Sequence, residues 1–119
     1  MWFMGSHYSM PKKLYNKLVR DNIPEIMRAQ GEEPETRILD EGEYKKLIRL
    51  KLLEEAGETR VAGSKEELTK ELSDVMEVLE AIAAAEGISM DDVLALKAKR
   101  RAERGGFLKR IYLVSSETK

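Results

Sequence analysis

EEAGETRVAGSKEELTKELSD, residues Glu54–Asp74, is the stretch on which the fold turns. It holds two acidic clusters, Glu54-Glu55-x-x-Glu58 and Glu71-x-x-Asp74, on either side of a helix-breaking joint. At 3.6 residues per turn Glu54 and Glu58 stand ~40° apart; Glu55 and Glu58, like Glu71 and Asp74, stand ~60° apart. Each cluster therefore projects from one side of its own helix. Gly63 suits a helix C-terminus, and Ser64-x-x-Glu67 is a capping box that opens the next helix. So short a joint makes the two helices antiparallel neighbours. With ~1.5 Å of rise per residue, Glu58, Glu71, Glu55 and Asp74 fall roughly 7 to 17 Å from the joint. The two clusters share a level.

Their direction is set by what surrounds them. In the first helix Glu54, Glu55 and Glu58 share an arc with Tyr44, Leu47, Leu50 and Val61, while Lys45, Lys46, Arg49 and Arg60 hold much of the opposite side. In the second, Glu66, Thr69, Lys70, Ser73, Glu77 and Glu80 form the solvent arc. Glu71 and Asp74 lie off that arc, beside Val78, Ala81 and Ala85. Carboxylates aimed into an apolar seam are costly unless their charge is compensated. A hard divalent cation is the simplest compensator, since carboxylate oxygens suit Mg²⁺ or Mn²⁺. One EExxE in a chain with 36% charged residues is ordinarily a solvated face. Two clusters, co-level and inward-facing, favour a metal site.

Composition bounds the rest. A chain of 119 residues supports one domain with one core. The first nine residues, MWFMGSHYS, read as an expression leader ahead of a start near Met10, so the domain is expected to run over 10–119. That leader carries the only His and the only Trp, which leaves no His as a base or ligand. A net charge of −1 argues against a nucleic-acid polymer as partner. No run approaches the ~18 apolar residues of a membrane span. Zero cysteines exclude disulfides and thiolate sites and fit a cytoplasmic protein.

Lys12–Asp21 reads as a short strand or an irregular arm. Asn22 or Ile23 caps a short helix with Pro24 near its start, ending at Gly31. Thr36–Leu39 suits a short edge strand. Asp40-x-x-Glu43 opens a long helix over about 41–62. Gly57 inside it costs ~1 kcal/mol relative to Ala, so close approach of a backbone or ligand is expected there. The next helix, about 65–86, carries the stripe Leu68, Leu72, Val75, Leu79, Ile82 of a bundle, and Gly87 stops it. Ser89-x-x-Asp92 starts a last helix, through about Glu103, ended by Arg104-Gly105-Gly106. Phe107–Val114 (FLKRIYLV) reads as a strand. The expected fold is mainly α: an antiparallel helical bundle of about four helices with one or two short peripheral strands.

Lys97, Arg100, Arg101 and Arg104 make one basic stripe on the last helix at i, i+3, i+4, i+7. Alone it is as well explained by the helix dipole. Beside a metal–carboxylate site it becomes a candidate phosphate clamp, with Lys17 and Arg20 as further candidates.

These residues resemble a known family. EExxE, a short spacer and then ExxD is similar to the metal signature of the all-α nucleotide pyrophosphohydrolases, the MazG-like and phosphoribosyl-ATP pyrophosphohydrolase-like group. The opening YNKLVRDNIPEIM (Tyr15–Met27) and the closing ERGGFLKRIYL (Glu103–Leu113) resemble a compact house-cleaning branch of it. The resemblance implies Glu55, Glu58, Glu71 and Asp74 as Mg²⁺ ligands, with Glu54 a ligand or the base for the attacking water. It implies cleavage of a nucleoside triphosphate between the α and β phosphates, giving the monophosphate and pyrophosphate. Gly57 departs from the longer residue of the family pattern. LLEEAGE also resembles part of a Nudix box, but Leu50-Lys51, Thr36, Gly42 and Glu58 stand where that box needs other residues.

Chemistry and resemblance agree on metal-assisted hydrolysis of a phosphoanhydride, with Glu54 and Glu55 as the catalytic carboxylates. Antiparallel helices with a broad apolar surface on a short chain favour a homodimer. Two alternatives stand beside this reading: the phosphoribosyl-ATP enzyme of histidine biosynthesis, and a non-catalytic helical dimerisation or regulatory module that keeps a structural metal.

Overall fold

A computed structural model describes residues 12–118, which form four helices: α1 (Ile23–Ala29), α2 (Glu41–Val61), α3 (Lys65–Ala85) and α4 (Met90–Arg104). The expected leader at 1–9 and the start near Met10 lie outside the described residues. No helix among them is long and apolar enough to cross a membrane.

The helix boundaries follow from local chemistry. Asp40 caps α2 by accepting the Glu43 backbone N–H at 2.8 Å. Glu43 also takes a bidentate pair of hydrogen bonds from Arg37, which ties the chain before the helix to its first turn. Ser64 caps α3 through the Glu67 N–H, and Glu67 reaches back to the Gly63 N–H at 3.0 Å. Gly87, at φ +67°, closes α3 with hydrogen bonds from Gly87 N to Ala84 O and Ile88 N to Ala83 O. That pairing is the αL helix stop for which glycine has no steric penalty.

α2 and α3 lie against each other as an antiparallel pair, and theirs is the only broad helix–helix contact among the described residues. Its centre is small: Ile48, Val78 and Ala83 are the buried apolar residues, and Glu55 is buried with them. α4 lies off this pair, exposed along nearly its whole length. The Cα extents are 81 × 34 × 30 Å and the radius of gyration is 21.1 Å. A compact chain of this length has a radius near ~13–14 Å. Extensive apolar surface is therefore left without a partner inside one chain.

The expected strands are absent among the described residues. Lys12–Asp21 is an irregular arm, Thr36–Leu39 is unpaired, and Phe107–Val114 contains a turn instead of a ladder. Arg110, at φ +56°, donates its N–H to Phe107 O across that turn. A strand requires a neighbour for its backbone groups. β-branched and aromatic residues in FLKRIYLV supply propensity but no partner.

The expectation of a tight approach at Gly57 is also corrected. A Cβ built there would meet nothing within 4 Å, and the residue is exposed. With no steric objection, Gly57→Ala is expected to stabilise the protein by ~1 kcal/mol, from helix propensity alone. Thermal or urea unfolding of the variant checks this; a lower midpoint would show that something outside the single chain packs against the glycine.

Candidate metal centre

The joint at 62–64 returns the chain on itself, so the inward side of α2 meets the inward side of α3. Glu55, Glu71 and Asp74 come together there. Each offers a carboxylate oxygen, and the three oxygens lie within 4.8 Å of one another. Glu55 is 6% exposed, and the Glu71 and Asp74 side chains are 12% and 23% exposed. Glu55 Oε2 and Glu71 Oε2 are buried without a hydrogen-bond partner. Buried carboxylate oxygens are ordinarily paired, and leaving them bare costs several kcal/mol.

The titration of Glu55 records that cost. Burial pushes its carboxyl up to about 6, and the charges of Glu58 and Asp74 push in the same direction against the pull of Lys51. Glu54 behaves differently. Burial raises it, but hydrogen bonds from Lys17 and Lys51 outweigh that, and its carboxyl sits below the ordinary value.

Four cations ring the carboxylates. Lys17 Nζ donates to Glu54 Oε1 at 3.0 Å, and Lys51 Nζ donates to Glu54 Oε2 at 3.1 Å and lies 3.6 Å from Glu55 Oε1. Arg20 donates to Asp74 Oδ1 at 2.8 Å, and Lys70 lies 3.3 Å from Glu71 Oε1 and 3.4 Å from Asp74 Oδ2. Residues three apart on the N-terminal arm thus grip α2 through Lys17 and α3 through Arg20.

The donor set is oxygen only, with two orphaned oxygens in a three-carboxylate cluster, and such a site suits a hard divalent cation. Glu55, Glu71 and Asp74 would hold it. Glu58 is exposed and outside this trio, although its charge reaches both Glu55 and Lys17. Lys97, Arg100, Arg101 and Arg104 are all exposed on α4, which makes no broad contact with the α2–α3 pair. Within one chain, the stripe is therefore not gathered with the acidic cluster. The sequence reading gave Lys51 no part in the site and placed Lys70 on the solvent arc, although Lys51–Glu55 and Lys70–Asp74 have the i, i+4 spacing that brings side chains together.

Two clefts border α2. The larger, an open groove of about 540 Å³ with Lys45, Arg49, Leu53 and Glu86 among its walls, contains none of the three clustered carboxylates. The smaller, about 120 Å³, lies between the arm and α2 and includes Lys17, Lys51 and Glu54. Size favours the first, chemistry the second.

A model of the phosphoribosyl-ATP pyrophosphohydrolase family matches residues 19–101. The match takes in α1, α2 and α3 whole and most of α4. An uncharacterized protein of Mycolicibacterium smegmatis (strain ATCC 700084 / mc(2)155) is 44% identical over 50 residues, which cover 42% of this chain and 51% of that protein. The chain thus spans about half the length of the curated relative it matches. No solved structure matches it.

Proposed function

Because the chain belongs to the phosphoribosyl-ATP pyrophosphohydrolase family, within the MazG-like all-α superfamily, we propose that it is a Mg²⁺-dependent nucleoside triphosphate pyrophosphohydrolase of nucleotide-pool house-cleaning. It cleaves the α–β phosphoanhydride to give the monophosphate and pyrophosphate. The observation that carries this reading is the pair of orphaned oxygens, one on Glu55 of α2 and one on Glu71 of α3, clustered with Asp74.

When bound, Mg²⁺ (or Mn²⁺) neutralises phosphate charge and acidifies water. Glu55, Glu71 and Asp74 would be its ligands, with Glu58 acting on Glu55 from outside the trio. Glu54, part-exposed and ionised at neutral pH, orients the attacking water and accepts its proton. A bond forms from the water oxygen to phosphorus as the bridging P–O bond breaks, and pyrophosphate departs. Lys17 and Arg20 already stand on the carboxylates and exchange them for substrate phosphates.

A homodimer completes the reading. The chain exposes 11051 Å², whereas a folded monomer of 13.6 kDa exposes ~6,600 Å². Leu53, Leu72, Met76, Leu94 and Leu96 are each at least half exposed. A second copy covering these faces buries the area class of obligate dimers, ~2,000–5,000 Å². Sedimentation at micromolar concentration tests it: a monomer there overturns the dimer. In a dimer the α4 stripe of Lys97, Arg100, Arg101 and Arg104 is free to serve the phosphates.

Pyrophosphate release from a panel of normal and damaged triphosphates, with and without Mg²⁺, tests the function. Mg²⁺-dependent release from one or more of them is expected. The description of the matching family favours phosphoribosyl-ATP as a second reading, so that compound belongs in the panel. Release from phosphoribosyl-ATP alone moves the enzyme to histidine biosynthesis, and release from nothing returns it to a non-catalytic module.

A further inference from the structure

We propose that the small cleft between the N-terminal arm and α2 seats the nucleobase, with Asn16 reading its polar edge. The proposal rests on the pyrophosphohydrolase reading above and adds where that enzyme selects its substrate.

The cleft and the carboxylate cluster share a wall. Asn16, Lys17, Leu18, Leu47, Leu50 and Glu54 line the cleft, together with Lys51. Lys17 and Lys51 hold the two oxygens of Glu54, and Lys51 stands 3.6 Å from Glu55 Oε1. A ligand with its phosphates at the carboxylates therefore has this cleft as its neighbouring recess. The remaining side of the cluster is occupied by Arg20 and Lys70, both cationic and suited to phosphate.

Size restricts what enters. The cleft measures about 120 Å³. Sites for whole ligands run ~300–1,000 Å³. One planar ring system fits this description and a complete nucleotide does not. Leu18, Leu47 and Leu50 give the apolar walls that ring faces need. They are half-buried or half-exposed, so a ring covering them removes apolar surface from water.

Asn16 is the one neutral hydrogen-bonding side chain of the lining. Its amide offers a donor and an acceptor side by side, the pattern that matches the paired groups on base edges. Its position is fixed locally. Asn16 takes φ +45°, a left-handed conformation that Asn adopts more readily than most residues, and the next residue is the Lys17 anchored on Glu54. Lysines pair with Glu54; the amide is left to choose between bases.

The test is the ratio of kcat/KM among the four ribonucleoside triphosphates, at saturating Mg²⁺, for the wild type, Asn16→Asp and Leu18→Ala. Asp keeps the shape and the left-handed tolerance of Asn but offers acceptors only. Guanine, which presents adjacent N1–H and N2–H donors, is expected to gain about tenfold relative to the other three bases in Asn16→Asp. Leu18→Ala removes a wall and is expected to flatten the wild-type preference about tenfold, which decides the matter if Asn16→Asp fails to fold. Ratios unchanged in both variants, with triphosphates still hydrolysed, overturn the cleft and leave the pyrophosphohydrolase reading standing. A wild type that hydrolyses no triphosphate overturns both.

Discussion

Asp74→Asn is expected to lower the rate of pyrophosphate release about 10³-fold while the α2–α3 pair stays folded. The substitution keeps the shape of the side chain and removes one of three carboxylate charges whose oxygens lie within 4.8 Å of one another. Charge stabilisation by a divalent cation contributes several kcal/mol to phosphoryl chemistry, and each ~1.4 kcal/mol is tenfold in rate. Structural damage should be slight. The partners left behind, Arg20 and Lys70, are 54% and 71% exposed, and solvent compensates cations of that kind. Glu77→Gln, exposed on the same helix, is the control for altered charge on α3. Steady-state kinetics over a Mg²⁺ titration read the effect. Activity within tenfold of the wild type at saturating Mg²⁺ would remove Asp74 from the metal site.

Which parts of this site could be read from the sequence follows from the range of the forces involved. Helix stops are local. Ser64, Asp40 and Gly87 act on backbone groups within four residues, so caps and breaks placed the helix ends within a residue or two of their positions. The 3.6-residue period then put Glu55, Glu71 and Asp74 on inward faces. It did not separate Glu55 from Glu58, ~60° apart, because which of them turns toward α3 depends on how the two helices splay at the joint. Lys70 shows a second limit. Its Cα belongs to the solvent arc, yet the long side chain carries its ammonium back over Glu71 and Asp74. The missing strands show a third, since pairing is a property of two segments and FLKRIYLV describes only one. Gly57 shows the last. A glycine mid-helix marks a cost in the sequence, but only the neighbours in space say whether anything is gained there, and within 4 Å of its open side there are none.

Glu55→Gln is expected to stabilise the metal-free protein by about 2 kcal/mol at pH 8, and by almost nothing at pH 4. Glu55 sits near pKa 6 in the folded chain against 4.5 when unperturbed, chiefly because it is buried. Between those values the folded protein binds the proton more tightly than the unfolded one. Stability therefore falls as pH rises from about 4.5 to 6, and the loss is complete above the folded pKa. A gap of about 1.5 units at ~1.36 kcal/mol per unit gives the 2 kcal/mol. Glu43 and Glu54 are shifted the other way, so their contributions fade below pH 4.5 and do not obscure this window. Metal must reverse the sign of the Glu55 effect. A divalent cation that binds the ionised trio at a hundred times its Kd stabilises the wild type by ~2.7 kcal/mol, while Glu55→Gln gives up a charged ligand and most of that gain. Melts of both proteins at pH 4 and pH 8, with Mg²⁺, with Mn²⁺ and with chelator, read all of these terms. At roughly 4 °C per kcal/mol, the variant should melt about 8 °C above the wild type in chelator at pH 8 and lose that lead in metal. Equal midpoints in chelator at pH 8 would mean that Glu55 carries no buried charge, and a lead kept in saturating metal would mean that the cation does not sit on it.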